Sequence, residues 1–334
     1  MESRSGTSLL AIVEEGCAVS FPHLFMGFQN GSLPWRRVPP VKGGSDRLAR
    51  PLIPKSTAKS TPGSKPGFRQ RKALGQHFLV SGRILNRIVA AAELTKDDLV
   101  VEVGPGSGAL TRYLVEKAGR VLAVEVDPDL ARSLSSRLGA PPSLSVIEAD
   151  ARTVDIDTLI PAGVPYKLVA NLPYYAANPI VRRFLEASHK PSLMVLTLQQ
   201  EVAQGMAALP GKMTMLSAAV QLFARPTLIC TVPPDAFRPP PKVNSAVIRL
   251  DVIAGLAVDV GDPDDFFTTV RAGFSSPRKQ LRNSLSHGLG VQGSEVDGLL
   301  EAASLDGVRR PATLTLEEWA HLHLTRRGAW QAAV

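Results

Sequence analysis

Short apolar segments alternate with segments of helical periodicity between residues 99 and 198, and this alternation constrains the fold more than any other feature of the chain. The apolar segments comprise residues 99–103, 120–124, 144–147, 166–170 and 193–198. Apolar runs of this kind, bounded by turn signals, are typical of strands that are buried on both faces. Strands that alternate with helices build a parallel sheet covered by helices. The sequence therefore predicts an α/β fold whose ligands bind at the carboxyl ends of the strands.

The residues beyond 198 predict two additions to this core. Segments 227–232 and 245–250 are predicted strands, and the proline-rich segment 233–242 joins them. Such a hairpin would complete a mostly parallel, seven-stranded sheet with an antiparallel edge strand. The remaining periodic segments predict helices at residues 264–274, 277–285, 294–303 and 315–326. We therefore expect an α/β domain at residues 71–254 and a small all-helical C-terminal domain at residues 255–334.

The amino-terminal residues 1–70 show no sustained strand or helix periodicity and contain clusters of proline, glycine and serine. They also explain the net charge of +8, because residues 1–72 carry 12 Lys and Arg against 4 Asp and Glu, which leaves 26 of each in the rest. The overall charge therefore does not by itself indicate that the folded part binds nucleic acid. We expect residues 1–70 to be a basic, disordered extension that helps hold RNA phosphates. An organellar targeting segment and a gene start placed too far upstream are the alternatives.

Composition excludes several classes of protein. Charged residues interrupt every apolar run well short of the roughly 18 residues that a transmembrane helix needs, so we expect no membrane partner. Cys17 and Cys230 have no partner at metal-ligand spacing, which argues against a structural zinc and for a reducing compartment. We therefore expect a cytoplasmic protein that needs no metal.

Polar residues at the ends of the first three predicted strands indicate a nucleoside-like ligand. Gly104 and Gly106 lie in a glycine-rich turn between a strand and a helix, where the backbone can approach a ligand closely. Glu125 ends the next strand, where an acid can accept hydrogen bonds from both ribose hydroxyls, and Asp150 can accept one from an adenine amine. No Lys or Arg lies in or just after the glycine turn, so the ligand carries little phosphate. This favours S-adenosylmethionine over NAD or ATP.

The fourth strand is followed by Asn171, Leu172, Pro173 and Tyr174. An exocyclic amine on a base is a poor nucleophile because its lone pair is delocalised into the ring. The side-chain oxygen of Asn171 and the carbonyl of Leu172 can accept both hydrogens of such an amine and favour a pyramidal nitrogen. Tyr174 offers a flat face to an unstacked base, and such stacking contributes roughly 1–3 kcal/mol. The structural alternative is a strand that ends in an Asn-Pro turn with a tyrosine in the core.

Candidate RNA contacts follow in the second half of the chain. The rigid proline-rich segment 233–242 contains Phe237, which we predict to face Tyr174 so that a flipped adenine lies between or beside the two rings. Packing of Phe237 on the core as a loop anchor is the alternative. Arg278, Lys279 and Arg282 lie in the predicted helix 277–285, where Arg278 and Arg282 would share one face. This face either contacts phosphates or is simply solvated.

Seven motifs in one order give the chain a family resemblance. From about residue 71 to residue 326 it resembles the bacterial small-subunit ribosomal RNA adenine dimethyltransferases. The motifs are residues 74–79 (LGQHFL), 101–111 (VEVGPGSGALT), 125–127 (EVD), 150–151 (DA), 171–174 (NLPY), 237–245 (FRPPPKVNS) and 278–284 (RKQLRNS). Together they are far more specific than any one of them.

The resemblance implies a Rossmann-like S-adenosylmethionine-dependent methyltransferase fold and dimethylation of N6 of two adjacent adenines in a hairpin loop near the 3′ end of small-subunit rRNA. It also implies that one set of residues binds S-adenosylmethionine, with Asn171 and Tyr174 facing the target base as the catalytic pair. The cofactor set is His77, Leu79, Gly104, Glu125, Asp150 and Asn171. His77 stands where many members carry Asn. We expect a monomer that acts on immature small ribosomal subunits.

Two rival functions remain open at the level of sequence. A related enzyme could methylate adenine in large-subunit rRNA, although residues 278–284 resemble the small-subunit group better. A non-catalytic RNA-binding factor could instead check immature small subunits through the helical domain. An intact motif at residues 171–174 argues against this second rival, because a scaffold has no need of it.

Overall fold

The computed structural model describes residues 76–331, so the expectations for residues 1–70 lie outside the described part of the chain. Its centre is a sheet of seven strands in the order β4-β3-β2-β5-β6-β9-β7, and β1 pairs with β8 in a separate two-stranded sheet. The strands are β1 (Phe78–Leu79), β2 (Leu99–Val103), β3 (Arg120–Glu125), β4 (Leu144–Glu148), β5 (Tyr166–Asn171), β6 (Leu193–Gln199), β7 (Ala224–Val232), β8 (Phe237–Arg238) and β9 (Ser245–Val252). The predicted α/β fold and all seven strands of the large sheet are confirmed.

Eleven α-helices complete the described part of the chain. They are α1 (Gly82–Ala92), α2 (Ala109–Lys117), α3 (Pro128–Arg137), α4 (Ile156–Leu159), α5 (Ala177–Glu186), α6 (Gln200–Met206), α7 (Met215–Gln221), α8 (Pro263–Gly273), α9 (Leu281–Leu289), α10 (Gly293–Ala302) and α11 (Leu316–Gln331). The sequence did not predict α4 and α7, which are short. Among residues 76–331, none of the helices is long and apolar enough to span a membrane.

Helices cover the large sheet on both faces. Val100 and Val101 are neighbours in β2 but belong to two different buried clusters, because successive side chains of a strand point to opposite faces. One cluster includes side chains of α1 and α2, and the other includes side chains of α5 and of the C-terminal helices. The sheet therefore presents only its edges and its strand ends to ligands.

The antiparallel strand lies one position inside the edge of the sheet. β9 runs antiparallel to both β6 and β7, which leaves β7 as the edge strand and parallel to the other five. Residues 245–248 of β9 are all buried, whereas β7 exposes several positions. The more apolar strand of the predicted hairpin therefore takes the inner place, where both of its faces are covered.

The segment before α1 contains a short strand, although no strand was predicted there from the sequence. β1 pairs antiparallel with β8, so that Phe78 is opposite Arg238 and Leu79 is opposite Phe237. The backbone N–H of Val80 also donates to the carbonyl of Ala236, at 2.8 Å. This pairing is set by the distant 233–242 loop, which local sequence cannot reveal. It holds residues 76–79 against the carboxyl ends of the central strands.

The four C-terminal helices pack on one another and on α7, and one of them begins later than predicted. α9 begins at Leu281 instead of residue 277, because Gln280 has an extended backbone with φ −61° and ψ 150°. The first amides of α9 donate to another segment, with Leu281 N–H bonded to the carbonyl of Arg309 at 2.7 Å. Arg278 and Lys279 therefore lie in a turn, and the predicted helix face shared by Arg278 and Arg282 is wrong. The proposed domain boundary at residue 254 stays a prediction, since one apolar cluster runs continuously from β2 to α11.

Candidate active site at the carboxyl ends of the central strands

A cavity of about 90 Å³ opens where β2, β3 and β5 end. The chain runs outward from β2 to β3 and β4 and then returns to β5 beside β2, which makes this the topological switch point of the sheet. Most of the residues predicted to bind ligands line the cavity. They are His77, Leu79, Gly104, Gly106, Glu125, Asn171, Tyr174 and Phe237. The ends of the parallel strands and the separate pair of β1 with β8 place these residues together although they are far apart in sequence.

The glycine turn after β2 needs its glycines. Gly104 and Gly106 have φ of +68° and +54°, which L side chains rarely adopt. A Cβ on Gly106 would also lie 2.8 Å from Cε1 of Phe78, so the turn and the 76–79 segment fit closely. Arg137 on α3 holds the turn from behind, donating to the carbonyls of Ser107 at 3.0 Å and Gly106 at 3.1 Å. Sequence reasoning missed Arg137, because no motif marks it.

Glu125 ends β3 and is held in one orientation by the backbone. Its Oε2 accepts the N–H of Gly106 and its Oε1 accepts the N–H of Asp127, both at 3.0 Å. Burial raises the pKa of this carboxyl, although both N–H groups oppose the shift. Each oxygen keeps a further acceptor site. The arrangement therefore suits a ligand that donates two neighbouring hydroxyl hydrogens.

Glu102 lies inside β2 and was not predicted as a site residue. It lines the same cavity, is only 1% exposed, and its Oε2 has no hydrogen-bond partner among the described residues. Burial, with a smaller contribution from the charge of Glu125, raises its pKa to about 8. An acid in the middle of an apolar strand was the available sequence signal. A buried polar group without a partner is costly unless a ligand satisfies it. Because this carboxyl keeps its proton at neutral pH, it can both donate and accept a hydrogen bond, and a polar ligand group would satisfy it.

Asp150 lies beside the main cavity and not in it. It lines a smaller cavity of about 40 Å³ whose wall includes Gly104 and Tyr175, residues that also line the larger one. Arg152 bonds its carboxylate, with Nη2 at 2.6 Å from Oδ2, and lowers the pKa of Asp150. The guanidinium of Arg152 also lies 5.7 Å from the centre of the Tyr175 ring. A ligand amine at Asp150 must therefore share this carboxylate with Arg152.

The Asn171 side chain is oriented by the segment before β1. Its Nδ2 donates to the backbone carbonyl of His77 at 3.2 Å. Because the amide nitrogen is used in this way, the oxygen Oδ1 is the end available to a ligand. Tyr174 is held from behind, since its hydroxyl lies 2.6 Å from Oγ of the buried Ser245 on β9. The structural alternative of a tyrosine wholly in the core is excluded, because Tyr174 is half-buried and lines the cavity.

Phe237 is a loop anchor. Although it helps to line the cavity, it is 1% exposed and belongs to a buried cluster with Leu79 and Val232. The register of β8 with β1 turns its side chain into the core, which the sequence of the 233–242 loop does not reveal. The ring that does lie alongside Tyr174 is that of His77, at 5.8 Å between centroids and 28° between planes.

The three residues predicted to contact RNA in the C-terminal region differ in whether a carboxylate pairs with them. Arg278 and Lys279 are exposed, and no carboxylate of residues 76–331 forms an ion pair with either. Arg282 instead forms a two-bond pair with Asp297, at 2.5 Å and 2.8 Å. Asp297 neutralises this arginine, so phosphate contact is favoured for Arg278 and Lys279 over Arg282.

The raised pKa of Glu102 makes the folding stability depend on pH. The unfolded chain releases this proton near pH 4.5, whereas the folded protein keeps it until about pH 8, so this group lowers stability increasingly across that range. We expect Glu102→Gln to raise the Tm at pH 8 by at least about 2 °C and to leave the Tm at pH 4 unchanged. Calorimetric scans at both pH values measure this. The matched control is the exposed Glu116→Gln on α2, and an equal Tm gain in both variants would contradict the role of burial.

Comparison with known protein families supports an assignment. The model of a family described as ribosomal RNA adenine dimethylase matches residues 67–322. The chain is 44% identical over 257 residues to ribosomal RNA small subunit methyltransferase A of Dehalococcoides mccartyi, covering 77% of this chain and 88% of the relative. It is 40% identical over 283 residues to the protein of the same name from Alkaliphilus oremlandii, covering 83% of this chain and 97% of the relative.

Solved structures show the same architecture. The 23S rRNA methyltransferase ErmE is 29% identical, with a TM-score of 0.60 over 74% of this chain and 98% of its own. A dimethyladenosine transferase from Plasmodium falciparum is 24% identical, with a TM-score of 0.65 over 75% of this chain and 98% of its own. The second likeness concerns the fold alone. The methyltransferase fold expected from the motifs is therefore confirmed.

Proposed function

Because this chain belongs to the ribosomal RNA adenine dimethylase family, we propose that it transfers two methyl groups to N6 of each of two adjacent adenines in the 3′-terminal hairpin loop of small-subunit rRNA. The observation that carries the proposal is one cavity with two kinds of group. It combines acids that suit the hydroxyls of a nucleoside with an Asn171 amide whose oxygen is free to accept. The enzyme takes part in the biogenesis of the small ribosomal subunit.

We assign the binding of S-adenosyl-L-methionine, the methyl donor of this enzyme, to this cavity together with the smaller one beside it. Glu125 would accept from the ribose hydroxyls, and the turn with Gly104 and Gly106 would lie along the chain beyond the ribose. Asp150 would accept from the adenine amine, with Leu79 and His77 closing the site. The unpartnered carboxyl of Glu102, which keeps its proton at neutral pH, would form a hydrogen bond with a polar group of the ligand. When bound, S-adenosyl-L-methionine supplies an electrophilic methyl group on a sulfonium.

Asn171 and the backbone after it activate the target amine. With Nδ2 bonded to His77, Oδ1 of Asn171 accepts one amine hydrogen, and the carbonyl of Leu172 accepts the other. The lone pair of N6 is then directed away from the ring and towards the methyl donor. Catalysis is therefore mostly positioning. A strong general base is unnecessary, because the ammonium formed on attack is acidic and loses its proton to water.

Tyr174 supports the base during this step. Its ring is fixed by the bond to Ser245 and lines the cavity beside Asn171. A base that leaves its stack gains roughly 1–3 kcal/mol from stacking on such a ring. The singly methylated amine must rotate before the second transfer. The wall near Tyr174 therefore has to leave room for a methyl group in either position.

Arg278 and Lys279 bind phosphates of the substrate RNA at a distance from the target base. We expect the double substitution of Arg278 and Lys279 by alanine to weaken RNA binding equally for all sequences and to reduce the slope of log K against log salt by about 2. Arg282→Ala is the matched control and should change that slope little, since Asp297 already pairs with Arg282. Filter binding at several salt concentrations measures both slopes. A larger effect of Arg282→Ala would reverse the assignment.

The experiment that tests the proposed function compares the two ribosomal subunits. Particles from cells lacking the protein are incubated with the purified enzyme and S-adenosyl-L-methionine, and N6,N6-dimethyladenosine is mapped by primer extension and nucleoside mass spectrometry. We expect it in small-subunit rRNA alone. Dimethyladenosine in large-subunit rRNA would establish the rival activity that the likeness to ErmE suggests. Failure to bind S-adenosyl-L-methionine would refute the enzymatic proposal and favour the non-catalytic assembly factor.

We also infer a cytoplasmic enzyme that acts as a monomer and needs no metal. One chain supplies every residue assigned to the cavity, which supports a monomer. No group of three metal-ligating side chains occurs within the described part of the chain. Sedimentation at increasing protein concentration and activity in the presence of a chelator check both inferences.

A further inference from the structure

We propose that Arg137 is a positioning residue of the cofactor site, which acts through the glycine turn to aim the backbone N–H of Ser107 at the carboxylate of S-adenosyl-L-methionine. This inference rests on the proposed function, since it concerns how the same cavity recognises one end of the methyl donor. Arg137 does not line the cavity, so it acts on the ligand only through the backbone of the turn.

Arg137 ends α3, and its guanidinium holds two successive peptide groups of the turn. Nη2 donates to the carbonyl of Gly106 at 3.1 Å, and Nη1 donates to the carbonyl of Ser107 at 3.0 Å. Nε donates to the carbonyl of Ser133, one helical turn earlier, at 3.2 Å, which anchors the side chain to its own helix. Hydrogen bonds from a charged donor are stronger than those between neutral groups. The guanidinium therefore fixes the turn against α3.

The other polar groups of the turn are nearly all used. The N–H of Gly106 donates to Oε2 of Glu125 at 3.0 Å. The N–H of Gly108 donates to the carbonyl of Pro105 at 2.9 Å, which closes the turn. The N–H of Ser107, by contrast, has no hydrogen-bond partner among residues 76–331. It is therefore the donor that the turn keeps for a ligand.

The geometry of the peptide bond decides where this N–H points. In a planar trans peptide the carbonyl and the N–H point in opposite directions. The N–H of Ser107 belongs to the same peptide group as the carbonyl of Gly106, which accepts from Arg137, so the N–H points away from the guanidinium. Because Ser107 lines the cavity and Arg137 does not, this direction leads to the cavity.

The chemistry of the ligand identifies the group that binds to Ser107. An N–H can only donate, so its partner must be an acceptor. Beyond the ribose, S-adenosyl-L-methionine carries an ammonium group, which can only donate, and a carboxylate, which can only accept. The carboxylate is therefore the partner. Hydrogen bonds in a chain polarise one another, so the bond from Arg137 to the carbonyl strengthens the N–H of the same peptide group as a donor.

The charge of Arg137 favours the same ligand group. Burial lowers the pKa of Arg137, and the charge of the neighbouring Glu125 opposes this shift. The guanidinium stays charged, because arginine is not deprotonated in proteins. A permanent positive charge near Glu125 offsets the repulsion between this acid and the carboxylate of the cofactor. A lysine at position 137 would keep this charge, whereas an alanine would not.

The test compares two ligands that share adenine, ribose and sulfur. S-adenosylhomocysteine carries the amino-acid end with its carboxylate, and 5′-methylthioadenosine has a methyl group in its place. Calorimetry measures the affinity of both for the unaltered full chain and for the variants Arg137→Ala, Arg137→Lys and Arg132→Ala. Arg132 is the matched control, because it is exposed on the same helix and pairs with Asp129 at 2.6 Å.

We expect Arg137→Ala to lower the affinity for S-adenosylhomocysteine at least about 10-fold, since it removes the charge-assisted bonds behind the donor. The affinity for 5′-methylthioadenosine should change less than about twofold, because the adenosine end is bound elsewhere in the site. Arg137→Lys should recover part of the loss, and Arg132→Ala should bind both ligands as the unaltered protein does. Equal losses for the two ligands in Arg137→Ala would mean that Arg137 only holds the turn together, and would overturn the inference. An unchanged affinity for S-adenosylhomocysteine would overturn it as well.

The role of Arg137 and the proposed function fail in different ways. Methyl transfer to small-subunit particles is measured beside the calorimetry, and Arg137→Ala should raise KM for S-adenosyl-L-methionine while kcat changes little. If transfer occurs but the two ligands lose affinity equally in Arg137→Ala, the role of Arg137 alone is wrong. If the loss is confined to S-adenosylhomocysteine but the unaltered protein does not methylate small-subunit rRNA, the role of Arg137 stands and the proposed function is wrong.

Discussion

Replacing Asn171 by alanine is expected to lower kcat roughly 100- to 1,000-fold, which is the typical loss when one positioned hydrogen-bonding group is removed from an active site. The structure gives the reason. The Asn171 amide is anchored through Nδ2 to the carbonyl of His77, so its oxygen is held where the target amine must enter. Without it, only the Leu172 carbonyl can draw a hydrogen of the amine out of the ring plane. Single-turnover methylation of small-subunit particles measures the effect.

The control for this prediction is Asn178→Ala. Asn178 is exposed on α5, seven positions along the chain, and does not line the cavity. It should retain full activity. Affinity for S-adenosyl-L-methionine, measured by calorimetry, should remain nearly unchanged in both variants. Equal activity of Asn171→Ala and the unaltered protein would refute the role of Asn171, and loss of cofactor affinity alone would make it a cofactor residue.

Replacing Gly106 by alanine is expected to weaken binding of S-adenosyl-L-methionine at least 10-fold, about 1.4 kcal/mol. The added Cβ would lie 2.8 Å from the Phe78 ring, so either that ring or the glycine turn must move. Movement of the turn displaces the N–H of Gly106 from Oε2 of Glu125 and removes the orientation of that carboxylate. The substitution therefore displaces both the glycine turn and the carboxylate of Glu125.

Gly139→Ala separates this effect from backbone strain. Gly139 also has a positive φ, +78°, but nothing lies within 4 Å of an added Cβ. Both variants should lose about 1–2 kcal/mol of folding free energy from the left-handed backbone. Denaturant unfolding checks this loss, and calorimetry checks the cofactor affinity. If Gly139→Ala lowered the affinity for the cofactor as much as Gly106→Ala does, the close fit of the turn against Phe78 would not be the cause.

The sequence predicted those elements of the fold whose signals are local. The apolar runs at 99–103 and 166–170 became β2 and β5, and Asp127 caps α3 by accepting from the backbone N–H of Asp129. Register and contacts between distant segments were not predictable in this way. The pairing of β1 with β8 and the start of α9 at Leu281 both depend on hydrogen bonds across long separations.

The same distinction applies to the site. The place of Glu125 and Asn171 in the site could be predicted from their positions at strand ends, because parallel strands bring such ends together. Asp150 was expected in the same place but lies in the adjoining cavity beside Arg152. Glu102 and Arg137 were missed, since a buried acid without a partner and an arginine behind a turn are recognised only when their surroundings are known.

By itself the sequence determined the class of fold, the edge of the sheet that binds ligands and, through its motifs, the family. These follow from periodicity and strand-end chemistry, which are properties of short segments. The tertiary structure alone decided which side chains face the cavity. Phe237 is buried because of the register of β8, while His77 lies beside Tyr174 because β1 places it there. The orientation of a side chain depends on pairings between segments about 160 residues apart, and local sequence carries no information about them.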